Sequence, residues 1–226
     1  MAFFLPDEVD LFPHPLLCDP DGLLAFGAEV TPTRLLLSYQ FGIFPWNGPD
    51  NPTLWWYTHP RLILKPNEIK VSKSMRKYFS QNILKCTFDQ AFSKVIRRCR
   101  DKTRHGQDST WITDDIEDTF IELHHQGYAH SVEVWEDEKL VGGLYGMALG
   151  KIFCGESMFA DVSNASKFAL INLCRYLERK EFWFVDCQQA TAHLQSMGGQ
   201  AMSKNDFFMY LKKNALIATD NKKWLD

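Results

Sequence analysis

The chain has 226 residues, of which 45% are hydrophobic and 14% are aromatic, and it carries a formal net charge of −3. This length suits one large domain or a small domain followed by a medium one, and the composition excludes a disordered protein. No apolar run approaches the length of a membrane span, and the start MAFFLPDEVD lacks the features of a secretory signal, so we expect a soluble, cytoplasmic protein.

Residues 1–60 are dense in Pro, Gly and aromatic residues, as in FPHP, DPDG and GIFPWNGPDNP. Gly and Pro residues this frequent leave little room for long helices or strands. The stretch TPTRLLLSYQFG is the exception and predicts a helix capped by Thr31 or Thr33. We therefore predict a small, loop-rich N-terminal domain over residues 1–60.

The pattern changes at residue 61, and residues 61–226 predict a second, larger domain. RLILKP reads as a strand, SKSMRKYFSQN as a short basic helix, and DQAFSKVIRRCR as a helix with a clear apolar period. A polar loop, HGQDST, then leads to Trp111. The helix that follows, DDIEDTFIELHHQG, begins with acidic residues, as the helix dipole favours, and ends at a glycine.

The stretch AHSVEVWEDEKLVGGLYGMALGKIFCGESMF alternates strands and turns, which predicts an antiparallel meander. SNASKFALINLCRYLERK predicts an amphipathic helix capped by Ser163 or Asn164, FWFV predicts a strand, and a further helix is expected near Lys204. Strand, helix and strand form a crossover unit that places FWFV beside an earlier strand. The fold class is therefore α/β, a mixed sheet flanked by helices and preceded by the small domain.

The stretch FWFVDCQQ ends an apolar strand in polar residues, Asp186, Gln188 and Gln189. A turn would explain this, since Asp suits strand ends. A reacting centre would explain it too, because α/β sheets bind ligands at the carboxyl ends of their strands. Asp186 and Gln188 would point to the same side of an extended chain. Cys187 beside Asp186 is an alternative nucleophile.

Cysteine and histidine spacing predicts no metal site. The six cysteines form no CxxC pair, and no HExxH motif occurs. Charge is unevenly spread: residues 61–104 contain 13 Lys and Arg against 3 Asp and Glu, a net of +10. Such a block indicates either a contact surface for a polyanion or a solvated helix face.

Long stretches of the chain, in the same order, resemble the leucyl/phenylalanyl-tRNA–protein transferase family. They are FP…DGLLAFGAEVTPTRLLLSYQFGIFPW, WW…PR, SKSMRK, TWI, AHSVEVW, LVGGLYG, GKIFCGESMF, ASKFAL and VDCQ…HLQSMGG. The resemblance implies an acetyltransferase-like (GNAT-type) second domain. It also implies transfer of Leu or Phe, and of Met as a further candidate, from charged tRNA to the N-terminal Arg or Lys of proteins marked for degradation.

Carried over position by position, the resemblance implies catalytic residues Asp186, Gln188 and Glu156. It implies an aminoacyl pocket made of Leu144, Phe153, Met158, Leu170, Leu173, Leu177 and Val185, with Trp46 at its mouth. It implies tRNA contacts from Trp111, which would stack on the terminal adenine, and from Lys73, Arg76 and Lys77 of the basic helix. Relatives often continue that helix with basic residues, whereas this chain has Phe79.

The implied reaction is acyl transfer from an activated ester, which requires no metal or cofactor but does require positioning and proton removal. We expect Asp186 to supply negative charge and orient the amine while Gln188 fixes the geometry. Glu156 would contact either the cationic side chain of the acceptor or the α-ammonium of the donor. Core packing is the alternative reading for Trp111 and for the pocket residues.

Two other functions compete with this interpretation. An acetyl-CoA-dependent N-acetyltransferase would share the architecture, but it needs a glycine-rich loop entering a helix to hold pyrophosphate. A strand and turn follow the glycines of LVGGLYG instead. A non-catalytic RNA-binding protein would explain the basic block, but not the polar end of FWFVDCQQ.

Overall fold

A computed structural model describes residues 1–46, 52–102 and 110–224. Most of the predicted polar loop, residues 105–109, lies outside them. The described residues form a four-stranded sheet near the N-terminus and a seven-stranded sheet that follows it. The mixed α/β class predicted from the sequence is confirmed.

The N-terminal sheet has the strand order β1-β2-β4-β3 and one helix beside it. Its elements are β1 (Phe3–Leu5), β2 (Leu23–Gly27), α1 (Pro32–Gln40), β3 (Phe44–Pro45) and β4 (Leu54–Trp56). The predicted helix is confirmed, and the Thr31 side chain caps it by accepting from the Arg34 backbone N–H at 3.2 Å. The strands were not predicted, because runs of two to five residues between turns carry no readable period.

The second sheet has the order β11-β5-β10-β9-β8-β7-β6, with helices on both faces. Its strands are β5 (Arg61–Leu64), β6 (Leu84–Phe88), β7 (Ala129–Glu136), β8 (Lys139–Leu149), β9 (Ile152–Ala160), β10 (Phe184–Asp186) and β11 (Gln200–Met202). The helices are α2 (Lys73–Ser80), α3 (Phe92–Asp101), α4 (Asp114–His125), α5 (Ala165–Arg179), α6 (Ala192–Ser196) and α7 (Lys204–Asn214).

Strand β10 lies inside this sheet. It pairs parallel with β9, as the predicted crossover through α5 requires, and antiparallel with β5 on its other side. Asp186 ends the strand opposite Cys154 of β9 and Ile63 of β5. The predicted position of Asp186 at the carboxyl end of an inner strand is therefore confirmed.

One detail differs from the sequence-based expectation and a second agrees with it. Asn164 occupies the cap position of α5, but its backbone is left-handed with φ of 70° and its side chain makes no capping hydrogen bond. The glycines of LVGGLYG lie within strand β8 and not in a loop that enters a helix. A Cβ at Gly146 would lie 2.7 Å from the Phe153 ring, so the absence of a side chain at this position makes room for that ring to pack against β8.

Candidate active site

A cavity of about 500 Å³ opens where β10 ends. Strands β8 and β9, helix α5, the segment after β10 and the loop around Trp46 all contribute to its walls. Its wall is largely apolar, and Glu156 and Gln188 form a polar region within it. Cavities of this size and lining are typical of small-molecule sites.

Most residues predicted for the pocket line this cavity, and one does not. The residues that line it are Leu144, Phe153, Met158, Leu170, Leu173 and Val185, together with Trp46 and Trp111. Leu177 is absent from the lining and lies fully buried in the core. It follows Leu173 by one turn of α5, which carries it past the described lining, so its place in the pocket stays a prediction.

Sequence reasoning missed one wall, which the residues after β10 supply. Cys187, His193 and Leu194 line the cavity, and the latter two belong to helix α6. A five-residue helix is too short to produce a readable period. Its one usable signal was Thr191, whose side chain accepts from the Leu194 backbone N–H at 3.2 Å and so marks the start of α6.

Asp186 forms a buried ion pair with Arg61 at the start of β5. Arg61 Nε donates to Asp186 Oδ1 and Arg61 Nη2 donates to Oδ2, both at 2.7 Å, and each side chain is 1% exposed. This bidentate geometry is the strongest form of carboxylate–guanidinium contact. The Asp186 side chain is therefore engaged by Arg61 and is not among the groups that line the cavity.

Arg61 is held by aromatic rings and by the turn that precedes β3. Its guanidinium lies 4.7 Å from the ring centre of Phe207 and 5.0 Å from that of Phe44, and its Nη2 donates to the Gly42 carbonyl at 3.0 Å. A buried cation needs such partners to offset the loss of water. The ion pair thus ties β5, β10 and the turn before β3 together.

Gln188 connects this ion pair to the cavity. Its backbone N–H donates to Asp186 Oδ1 at 2.9 Å, and its Nε2 donates to Glu156 Oε1 at 3.0 Å. Its φ of 58° is left-handed, so the expectation that Asp186 and Gln188 share one side of an extended chain is wrong. Asp186 instead fixes the backbone turn that aims the Gln188 amide at Glu156.

Glu156 is half-buried and borders the cavity. Its pKa is raised to about 8, chiefly by burial and also by the charge of Asp186, while the Tyr39 hydroxyl, the Gln188 amide and the charge of Arg61 act in the opposite direction. The Tyr39 hydroxyl lies near the carboxyl without hydrogen-bond geometry to any described group. Glu156 can consequently exchange a proton near neutral pH.

We expect Glu156→Gln to stabilise the substrate-free protein above pH 7. The pKa in the folded state is about 8 and exceeds the unfolded value, so folding favours the protonated carboxyl. The native Glu156 therefore costs stability as pH rises through 8, and a neutral amide does not. The melting temperature of the variant should exceed that of the native protein, and the difference should be larger at pH 9 than at pH 6. Each kcal/mol of added stability corresponds to roughly 2–4 °C. A constant difference would contradict the shifted pKa.

The thiol of Cys187 is unsuited to nucleophilic attack. Burial and the nearby Asp186 raise its pKa, so the thiolate is scarce at neutral pH. Its Sγ contacts the Val185 carbonyl at 3.8 Å. Cys187 serves as part of the apolar wall, and the alternative nucleophile considered from the sequence gains no support.

Helix α2 presents the predicted basic residues Lys73, Arg76 and Lys77, all of them exposed. Phe79, the departure from the usual basic pattern, stacks on Phe168 of α5 with ring centres 4.4 Å apart. The Arg175 guanidinium lies 4.4 Å above the Phe79 ring. Phe79 therefore attaches α2 to α5 and brings a cation from α5 alongside it.

Much of the +10 block is neutralised by acidic side chains elsewhere. Arg97 and Arg100 pair with Glu117 of α4, and Arg98 and Lys102 pair with Asp161. Within residues 61–102, no ion pair is found for the three basic side chains of α2. The block is thus partly an ion-pair network between α3 and its neighbours, and the three cations of α2 are among the side chains of the block left available to an anion.

Trp46 and Trp111 border the cavity near the N-terminal domain. Trp46 is 36% exposed and meets Trp56 edge to face at 5.9 Å, and the Trp56 indole N–H donates to its carbonyl at 2.7 Å. Trp111 is partly buried against the core, yet it also borders the cavity. Trp111 therefore packs against the core, and its place at the cavity leaves a contact with a ligand as a prediction.

Within the described ranges, no group of three or more His, Cys, Asp or Glu is placed to hold a metal ion. The helices described there include none that is long and apolar enough to cross a bilayer.

Two family models match the chain. One is described as leucyl/phenylalanyl-tRNA protein transferase and matches residues 63–212, and the other describes the N-terminal domain of the same transferase and matches residues 28–59. The first alone covers more than half of the 226 residues.

Curated relatives resemble the chain over nearly its whole length. A leucyl/phenylalanyl-tRNA–protein transferase of Syntrophobacter fumaroxidans is 47% identical over 223 residues, which are 99% of this chain and 95% of that protein. One of Christiangramia forsetii is 46% identical over 213 residues, which are 93% of this chain and 100% of that protein.

Solved structures show more distant likeness. An aminoglycoside acetyltransferase from an uncultured soil sample, in complex with sisomicin, aligns with a TM-score of 0.40 and 16% identity over 52% of this chain and 86% of that one. The C-terminal domain of a putative lysylphosphatidylglycerol synthetase from Agrobacterium fabrum aligns with a TM-score of 0.42 and 10% identity over 84% of this chain and 58% of that one.

Proposed function

The chain belongs to the leucyl/phenylalanyl-tRNA–protein transferase family, and from that premise we propose that it moves Leu or Phe from charged tRNA to the N-terminal Arg or Lys of acceptor proteins in the cytoplasm. It is an aminoacyltransferase whose substrates are an aminoacyl-tRNA and a protein. Met is a third candidate donor, and the modified protein is marked for degradation.

The apolar cavity with one polar region is the observation that carries this proposal. In this proposal an aliphatic or aromatic side chain occupies the apolar part of the cavity, which Leu144, Phe153 and Leu170 line, and the rest of the amino acid faces Glu156 and Gln188. Because one methylene in such a pocket changes binding by only ~1–3 kcal/mol, a preference shared by Leu, Phe and Met is expected.

The reaction joins two substrates by acyl transfer. The acceptor's α-amino nitrogen attacks the ester carbonyl carbon of the aminoacyl-tRNA, forming the amide C–N bond. The bond from that carbon to the ribose oxygen breaks, and the oxygen leaves with the electron pair. The nitrogen loses a proton, and the ribose oxygen gains one. The ester is already activated, so positioning and proton transfer are the tasks of the protein.

We assign the proton transfer to Glu156. An α-amino group has a reference pKa of about 8, and the pKa of Glu156 is also about 8. Proton exchange between groups of matched pKa has no large uphill step. The ionised Glu156 accepts the proton of the attacking amine and returns it to the ribose oxygen.

Gln188 and Asp186 complete the arrangement in different ways. Gln188 Nε2 donates a hydrogen bond to Glu156, which leaves the Gln188 amide oxygen to accept a hydrogen bond from the attacking amine. Asp186 contacts Arg61 and Gln188, so we assign it the role of a positioning residue that fixes the Gln188 turn. This replaces the expectation that the Asp186 carboxylate itself orients the amine.

For the tRNA, we assign the exposed cations Lys73, Arg76 and Lys77 of α2 to the phosphates of the acceptor stem, where each contact adds salt dependence. Trp111, at the cavity edge, is assigned to stack on the terminal adenine, worth roughly 1–3 kcal/mol.

A transfer assay tests the proposed function. The protein is incubated with Phe-tRNA and a peptide that begins with Arg, without acetyl-CoA, and we expect a product heavier by one phenylalanine residue. The same peptide with an acetylated N-terminus is the control and should remain unchanged. Lack of product alongside tRNA binding would favour the RNA-binding alternative, and acetylation with added acetyl-CoA would favour the acetyltransferase alternative.

A further inference from the structure

Trp224 belongs to a segment after α7 that packs against the second sheet. Its backbone N–H donates to Asp89 Oδ2 at 2.6 Å, and its side chain is buried. Upstream, Thr219 Oγ1 accepts from the Gly150 backbone N–H at 3.0 Å, and a Cβ at Gly127 would lie 2.0 Å from the Asn221 carbonyl oxygen. These contacts fix the segment against three loops, which follow β6, β8 and α4.

The indole of Trp224 is packed among rings, one of which lines the cavity. It stacks nearly parallel on His130, with ring centres 4.0 Å apart and planes 7° apart, and lies 4.6 Å from Tyr176. Its centre is 5.6 Å from that of Phe153, whose ring lines the cavity. Trp224 itself does not reach the cavity, so it forms a second layer behind Phe153.

We propose that Trp224 is a positioning residue that sets the depth of the aminoacyl pocket by supporting Phe153 from behind, and thereby biases which donor side chain is accepted. The proposal rests on the proposed function, since it concerns the donor of that reaction.

The surroundings of Phe153 explain why support from behind matters. Glycine at position 146 leaves the β8 backbone open to the Phe153 ring, and a Cβ there would collide with it at 2.7 Å. The ring is therefore bounded by a glycine, by the cavity and by the indole. Removing the indole leaves a void into which the Phe153 ring can withdraw, because packed cores relax partly into such voids. The pocket then deepens, which favours a phenylalanyl over a leucyl side chain.

Trp224→Ala tests this through donor selectivity. We expect the ratio of kcat/KM for Phe-tRNA to that for Leu-tRNA to rise about fivefold or more, the scale of a methylene-sized change in an apolar pocket. Equilibrium binding of non-hydrolysable phenylalanyl- and leucyl-adenosine analogues should shift in the same direction. Trp224→Phe, which retains an aromatic ring, should restore most of the native ratio.

Phe159→Ala is the matched control, because Phe159 is an equally buried ring of β9 that is not part of the cavity wall. It should lower stability without changing the ratio. An unchanged ratio in Trp224→Ala, or the same change in both variants, would overturn the inference. If Trp224→Ala fails to fold, the same ratio of kcat/KM values is measured for Trp224→Leu. Absence of transfer by the native protein with any donor would instead overturn the proposed function.

Discussion

Replacing Arg61 with alanine is expected to lower the free energy of unfolding by about 3–5 kcal/mol, because it leaves the Asp186 carboxylate buried without its partner. Both side chains are 1% exposed and share two hydrogen bonds of 2.7 Å, so water cannot replace the guanidinium. Urea unfolding followed by circular dichroism measures the loss. Arg97→Ala is the control: it breaks an ion pair with Glu117, but Arg97 is 65% exposed, and such pairs contribute about 0–1 kcal/mol.

The double variant Arg61→Met, Asp186→Leu separates the contribution to stability from the contribution to activity. Buried ion pairs can often be replaced by apolar side chains of similar volume without loss of stability. We therefore expect the double variant to unfold near the native midpoint while transfer stays low, since the Gln188 backbone N–H has lost its acceptor. Native-like transfer in a stable double variant would show that Asp186 does not position Gln188.

Replacing Gln188 with asparagine is expected to lower kcat by roughly 10²–10³-fold, the cost of removing one oriented polar group from a reacting centre. Asparagine keeps the amide and tolerates the left-handed backbone, with φ of 58° at this position. Its shorter side chain withdraws the amide from Glu156, which Gln188 Nε2 contacts at 3.0 Å. Single-turnover transfer from Phe-tRNA, at saturating peptide, measures this step apart from product release.

Gln189→Asn is the matched control for this variant. Gln189 also borders the cavity and is exposed, and no hydrogen bond joins it to Glu156. It should change kcat by less than about threefold, the scale of a surface substitution of a few tenths of a kcal/mol. Equal losses in the two variants would contradict a specific role for the Gln188 amide.

The long elements and the place of the reacting segment could be predicted because their signals are local. Helices α1 and α5 have apolar periods, and the switch from FWFV to polar residues marks where β10 ends. The strands β1 to β4 could not be predicted, because pairing between short distant segments stabilises them. Their placement depends on tertiary contacts that no window of sequence contains.

The chemistry of the site was predicted less completely than its location. Arg61 and Asp186 are 125 residues apart, so no spacing rule could join them. Their pairing is why we assign Asp186 to fixing the Gln188 turn and not to facing the substrate. The raised pKa of Glu156 likewise depends on burial beside Asp186, which spacing alone does not reveal. An arginine opening an apolar strand, as in RLIL, was the one available hint.

The carbonyl of Gly42 and the ring of Phe44 both hold Arg61, and Phe44 is also part of the cavity wall. The turn before β3 and the last residue of β10 are thus coupled through Arg61, although they lie far apart in the sequence. A shift of either one changes how the guanidinium is held. A chimera that exchanges the first sixty residues between relatives must carry over that match along with the domain.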